Sequence, residues 1–212
     1  MFNFKFEIIM KPKMIPGVPL QKEGGFHDTE SQKYCNEYEL AEQKFLILKE
    51  RFFSINQWQK YSGENTADFR LYNSDGEPLE RSPEIGDYIR IDIPGPGEAE
   101  AKGYDWVEVV NIFHQMADQF ECFLVTCSPS KIPGNKENSH IAHFYSDEAT
   151  STFLISRNGK EIKAAIYGRN ESPNFNARFI DKLRNIMVGL GGMMGVSKIQ
   201  WKALSDGLLD FE

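Results

Sequence analysis

The chain has no long hydrophobic run. Nothing in it approaches the roughly 18 consecutive apolar residues that a membrane-spanning helix needs, so no span is expected. Cysteine is scarce, and Cys35, Cys122 and Cys127 are an odd set without framework spacing. That excludes a disulfide scaffold and suits reduced thiols. Positive charge is short as well: 24 Lys and Arg stand against 31 Asp and Glu, a net charge of −7. Phosphate neutralisation requires clustered cations, so no nucleic-acid partner is expected. The local basic excess of Arg178, Lys182, Arg184, Lys198 and Lys202 over Asp181 reads as a solvated helix face. The opening "MFNFKFEIIMKPK" carries Lys5 and Glu7 within its apolar run, and no small-residue cleavage site follows. A cytoplasmic location is therefore the expectation.

Signatures of nucleotide and nucleophile chemistry are missing too. "GLGGMMG" lacks the Gly-Lys-Ser/Thr of a P-loop, and Met194 stands where Gly-x-Gly-x-x-Gly needs its last glycine. There is no Gly-x-Ser-x-Gly elbow. His140 and His143 are three apart, which on a strand points them to opposite faces and disfavours a shared metal. The spacing of Cys122 and Cys127 likewise puts them on opposite faces, as inert buried thiols. No cofactor and no metal are implied, and no catalytic residue is identified. Asp87, Asp92, Asp105 and Glu108 lie on adjacent strand-like stretches and read as mostly solvated carboxylates.

What is present is patterning. Phe occurs sixteen times, so an aromatic-rich core is expected. "FNFKFEIIM" alternates Phe2, Phe4, Phe6 and Ile8 with polar residues, the period of a half-buried strand. "KPKMIPGVPLQKEGG" reads as an extended, solvent-facing connection. Ala41, Phe45, Leu48, Phe52 and Ile55 form one helical stripe over about Glu39–Ile55. A short helical piece with Trp58 and Tyr61 follows, ended by Gly63. "DFRLY", "IGDYIRIDI", "YDWVEVVNIFH" and "FECFLVTC" read as strands, the last two separated by the polar "QMADQ". Ile89, Ile91 and Ile93 share one face, with Tyr88, Arg90 and Asp92 on the other. "IAHFY" suggests a further short strand. "STFLISRNGKEIKAAIYG" is a hairpin with Asn158-Gly159 as the turn pair, which matches Ile155 to Ile162 and Phe153 to Ala164. That register gathers Phe153, Ile155, Ile162, Ala164 and Ile166 on one face. Phe179, Ile180, Leu183, Ile186, Met187 and Leu190 form a helical stripe near the C-terminal end, and "SKIQWKALSDGLL" a shorter helix capped by Ser197. Where "AAIYGRN" gives way to "ESPNF", Pro173 suits a first helical position, with Ser172 or Asn174 as its cap.

The order strand, helix pair, run of strands, C-terminal helix resembles the START-like helix-grip superfamily, with a loose Trp58-to-Tyr61 likeness after the first helix. The resemblance implies an α+β fold, a curved antiparallel sheet of about six to seven strands packed on a long C-terminal helix. One domain over 1–212 is expected, with an N-terminal strand and connection at 1–36 and the helix-grip-like core at 37–212. It also implies an apolar cavity between sheet and helix. An apolar or amphipathic small molecule is then the expected partner, with Arg90, Trp106, His143, Met187, Met193 and Met194 around it. Arg169 and Asn170 would hold a polar end, beside a helix N-terminus that favours anions. The alternative is a protein-interaction module with exposed Trp201, Leu204 and Leu208 as anchors. An enzyme on the same fold is a third reading and would require two titratable groups meeting inside the cavity. A homodimer stays open.

Overall fold

The computed structural model describes residues 11–93, 104–134, 140–174 and 193–211, with the backbone alone for 193–197. Among these residues lie strands β1 (Gly25–Tyr34), β2 (Asp68–Tyr72), β3 (Tyr88–Asp92), β4 (Asp105–Ala117), β5 (Phe120–Pro129), β6 (Thr150–Asn158) and β7 (Glu161–Glu171). They form one seven-stranded sheet in the order β1-β7-β6-β5-β4-β3-β2, and every neighbouring pair is antiparallel. Helices α1 (Tyr38–Phe53), α2 (Trp58–Ser62) and α3 (Met193–Leu208) complete the description. This curved antiparallel sheet packed on helices is the expected helix-grip-like α+β architecture. None of the described helices is long and apolar enough to cross a membrane.

The expected α1 stripe is the buried one: Ala41, Phe45, Leu48 and Phe52 face the sheet, with Ile55 beyond the helix end. Gly63 closes α2 at φ +108°. Phe69, Ile89, Ile91, Val107, Phe123, Phe153, Ile155, Ile162, Ala164 and Ile166 meet the helices from the sheet's inner face. Aromatic rings fill much of this space. Trp58 lies 4.8 Å from Phe153 and 5.2 Å from Phe69, and Phe153 lies 5.6 Å from Trp201. Cys127 belongs to this inner cluster and Cys122 to a second cluster on the opposite face, as their spacing requires.

The hairpin register departs from the expected one by one step on each strand. Asn158 pairs with Glu161, Ile155 with Ala164 and Phe153 with Ile166. The loop is therefore Gly159-Lys160, with Gly159 at φ +59° in its first central position. A change of two in partner number leaves every side chain on its original face, which is why the apolar set survives. Other corrections are larger. Residues "QMA" do not interrupt the sheet, since the β4–β5 ladder runs on to Ala117↔Phe120. "IAHFY" contributes only an isolated bridge, Tyr145↔Pro173. That bridge also takes Pro173 out of a helix start, and the Asn174 side-chain amide donates to the carbonyls of Ile141 and His143; the helix it was expected to cap falls outside the described residues. Ser197 lies within α3 and does not cap it. The expected strand at Phe2–Ile8 and the helical stripe from Phe179 to Leu190 fall outside the described residues.

One strand had no apolar signature. β1 buries His27, Thr29 and Ser31, all polar, on its inward face. The connection before it is not simply solvent-facing. Ile15 and Val18 pack against Leu124, Leu154, Ala165 and Tyr167, so residues 11–24 strap the outer face.

The corrected turn makes a checkable contrast. Gly159→Ala forces a side chain into the left-handed region and should cost about 1–2 kcal/mol. Asn158→Ala, at an ordinary strand end, should cost under about 0.5 kcal/mol. Urea unfolding of the two variants measures both.

Candidate functional site

Arg169 and Asn170 are engaged by their own chain. The Arg169 side chain is 1% exposed on the outer side of the sheet. It donates to the carbonyls of His27, Gly168 and Lys13 and pairs with Asp28 at 2.7 Å. Asn170 adopts φ +55°, a conformation asparagine tolerates better than most residues. Its side-chain oxygen accepts from the backbone N–H of Lys22 and Glu23, and its amide donates to Leu20. Both residues thus fasten the strap over the outer face. Nearby, Tyr167 donates to Glu30. Burial tends to raise the Glu30 carboxyl, but Lys13, Tyr167 and Lys163 outweigh it and hold it below its ordinary value.

Arg90 and Trp106 are ladder neighbours on the outer face. Arg90 pairs with Asp68 at 3.2 Å and lies over Tyr104, and Trp106 packs with Ala142, Tyr72, Tyr88, Tyr104 and Ile132. They do not line the space between sheet and helix. Met187 lies outside the described residues, as do the side chains of Met193 and Met194. Trp201, Leu204 and Leu208, expected as exposed anchors, are instead buried in the inner cluster. The helix turns that stripe toward the sheet, and this correction removes the basis of the interaction reading. Asp87 and Asp105 are buried rather than solvated. Asp87 is held by a bidentate Arg81, at 2.7 and 2.9 Å.

His143 is where the expectation and the inner face meet. It lines a void of about 20 Å³ with Ile91, Ile93, Asp105, Cys127, Ser151 and Trp201. A space of that size holds about one water molecule or one polar head group. The His143 ring is buried, its Nδ1 accepts from the Tyr145 backbone N–H, and burial pushes its pKa down to about 3. The ring is therefore neutral at physiological pH. Burial pushes the Cys127 thiol up to about 12, which leaves it protonated and unreactive. His140, by contrast, is exposed, so the two histidines diverge.

Trp201, which lines this void, also stacks on one member of a pair that the sequence did not announce. His27 Nδ1 lies 2.8 Å from Glu171 Oε1, and both side chains are almost fully buried. The imidazole lies over Gly168, its partner in the β1–β7 ladder. A Cβ on Gly168 would come within 2.2 Å of Nδ1 and 2.3 Å of Cε1, so only glycine admits the ring there. Trp201 stacks on the same imidazole with its ring 7° from parallel, centroids 6.5 Å apart. The available signal was the alternation of His27, Thr29 and Ser31, which reads as polar only because the inward set is polar.

No family model matches the chain, and no curated protein does. Among solved structures, a hypothetical protein of Helicobacter pylori aligns over 93% of this chain and 99% of its own, at 10% identity and a TM-score of 0.49. An uncharacterized protein of Bacillus thuringiensis aligns over 88% and 100%, at 12% identity and a TM-score of 0.38. Norcoclaurine synthase of Thalictrum flavum aligns over 94% and 99%, at 8% identity and a TM-score of 0.34. The fold assignment rests on the strand order and on the helices packed against the sheet, not on these likenesses.

His143 makes a prediction about acid. From its ordinary value of 6.5 down to about 3, the unfolded chain binds a proton that the folded chain refuses. Stability from this group is thus present above 6.5 and is lost as pH falls, by up to about 1.4 kcal/mol per pH unit. Urea unfolding from about pH 7 to about pH 4 should show a shallower acid loss for His143→Gln than for the wild type. Equal slopes would assign the loss to other groups.

Proposed function

We propose that this protein binds a small amphipathic molecule at one end of the sheet's inner face, at the void beneath Trp201. The observation that carries this reading is the contrast between the two ends of that face. Toward α1 the space is occupied by Phe45, Phe52, Trp58 and Phe123. At the other end a void remains, where apolar Ile91, Ile93 and Phe144 meet polar Asp105, His143 and Ser151. An apolar wall with a few convergent polar groups is the usual make-up of a small-molecule site. The polar head would occupy the void and the apolar part would lie along the isoleucines and Phe144. Among the described residues, the aromatic rings toward α1 occupy the space where the resemblance implied an apolar cavity between sheet and helix, so the ligand is kept to this end. The His27–Glu171 contact is also what would favour an enzyme on this fold, since acid–base chemistry starts from titratable groups in contact.

Native mass spectrometry of the purified protein is the test. The wild type is expected to carry a co-purifying small molecule. Ser151→Leu, which fills the void with a larger side chain, should lose that molecule while its melting temperature stays within a few degrees. Retention of the same adduct by Ser151→Leu would place the ligand elsewhere.

A further inference from the structure

The two edges of the sheet are finished differently. β2 is 5 residues long and its outer side is covered: the Leu71 N–H donates to Asn56, and the Leu71 carbonyl accepts from the Leu79 N–H. β1 is 10 residues long, and β7 takes only one of its sides. The Cys35 N–H donates to the Lys160 carbonyl, which fixes the phase of the β1–β7 ladder. Thr29, Ser31 and Lys33 therefore bond to β7, while Glu30 and Gln32 turn their N–H and C=O groups away from it. No backbone group of another described residue bonds to Glu30 or Gln32 on that side.

Beside this open edge runs a groove of about 600 Å³, lined by the consecutive β1 residues Glu30 to Lys33. Successive strand residues face opposite sides of a sheet, so a groove that touches all of them follows the edge rather than either face. Its far wall is Tyr61 and Ser62 of α2, with Asp206 of α3 and Asp210 beyond it. That wall is already in place. Ser31 bonds to Ser205 at 2.8 Å, and α3 lies so close to α2 that a Cβ on Gly207 would come within 2.0 Å of the Tyr61 carbonyl oxygen. An unpaired edge beside a slot is the setting in which an extended peptide adds a strand.

Charge narrows the class of peptide. Glu30, Asp206 and Asp210 stand against Lys33 and Lys202 in the lining, and the chain carries −7 overall. Lys202 is paired with Asp206, and Glu30 with Lys13. Asp210 enters no ion pair among the described residues, so its carboxylate is left for a cation. We propose that the outward edge of β1 is a docking site for a cationic polypeptide segment, added as an extended strand on the backbone of Glu30 and Gln32 with a Lys or Arg set on Asp210. The site is separate from the void beneath Trp201 and does not depend on the small-molecule reading.

Peptides of about eight residues that alternate Thr with Lys, or Thr with Glu, test this by isothermal titration calorimetry on the full chain. The Thr-Lys peptide is expected to bind at least about tenfold more tightly than the Thr-Glu peptide. Only alternate residues of an added strand turn their N–H toward the edge. Methylating the Thr nitrogens in one Thr-Lys peptide and the Lys backbone nitrogens in another should therefore give unequal results: one loses about tenfold or more, and the other binds as before. Gln32→Pro removes an N–H that β7 does not use, so its melting temperature should stay within a few degrees while peptide affinity falls about tenfold. Asp210→Asn should weaken Thr-Lys binding about threefold; no change would remove Asp210 as the contact. Absence of Thr-Lys binding, or an equal effect of the two methylations, would overturn strand addition. Equal binding of the Thr-Glu peptide would overturn the cationic partner. A wild type that sediments as a dimer and dissociates on Gln32→Pro would assign the edge to a second copy of the chain and overturn the peptide reading. The methylated pair is read on the wild type, so it decides the matter even if Gln32→Pro does not fold.

Discussion

The antiparallel pairing of β1 with β7 is the constraint on which the rest of the structure depends. This one ladder presents different chemistry to the two sides of the sheet. Outward, it aligns Asp28 with Arg169 and Glu30 with Tyr167, so that residues 11–24 are held across an apolar patch. Inward, it sets His27 over Gly168 beside Glu171, and Ser31 against Ser205 of α3. A slip of one residue would exchange the two sets and bury the strap's partners beneath the helix. The strap, the seat of α3 and the polar end of the inner face all follow from that register.

The second constraint is volume. Helix-grip folds enclose a space between sheet and helices, and here much of it is occupied by rings. Trp58, Phe69, Phe153 and Trp201 form a continuous run of contacts. Close-packed interiors of this kind yield little, so the proposed ligand would be confined to the end where packing is incomplete. That end is also where buried polar groups gather. Asp105, His143 and Ser151 line the unfilled space, and a polar lining is what distinguishes it from an apolar packing defect, which stays dry.

The fold was readable where side chains alternate between oil and water. The α1 stripe, the Ile89–Ile91 face and the 153–166 hairpin face are all such cases, and the hairpin face tolerated an incorrect register because the error was even. β1 was not readable, since its inward residues are polar and are held by partners distant in the chain: Glu171, Ser205 and Trp201. Sequence spacing carries no information about such pairings. The corner at Arg169 illustrates the same limit. Its arginine faces Asp28 of its own chain, a contact between residues with no local relationship. Trp106 and Trp201 were exchanged in role, one expected in the cavity and the other on the surface. Strand parity places Trp106 outward, opposite Arg90, and helical phase places Trp201 inward, and neither phase was fixed without the ladder.

The three tryptophans provide the most direct test of the central claim, because each reports on a different place. Trp58 sits in the aromatic core, Trp106 on the outer face and Trp201 between the His27 ring and the void. Indole N–H resonances recorded during titration with 1-hexanol should show Trp201 shifting while Trp58 and Trp106 stay in place. A shift at Trp106 without one at Trp201 would contradict the account and move the site to the outer face.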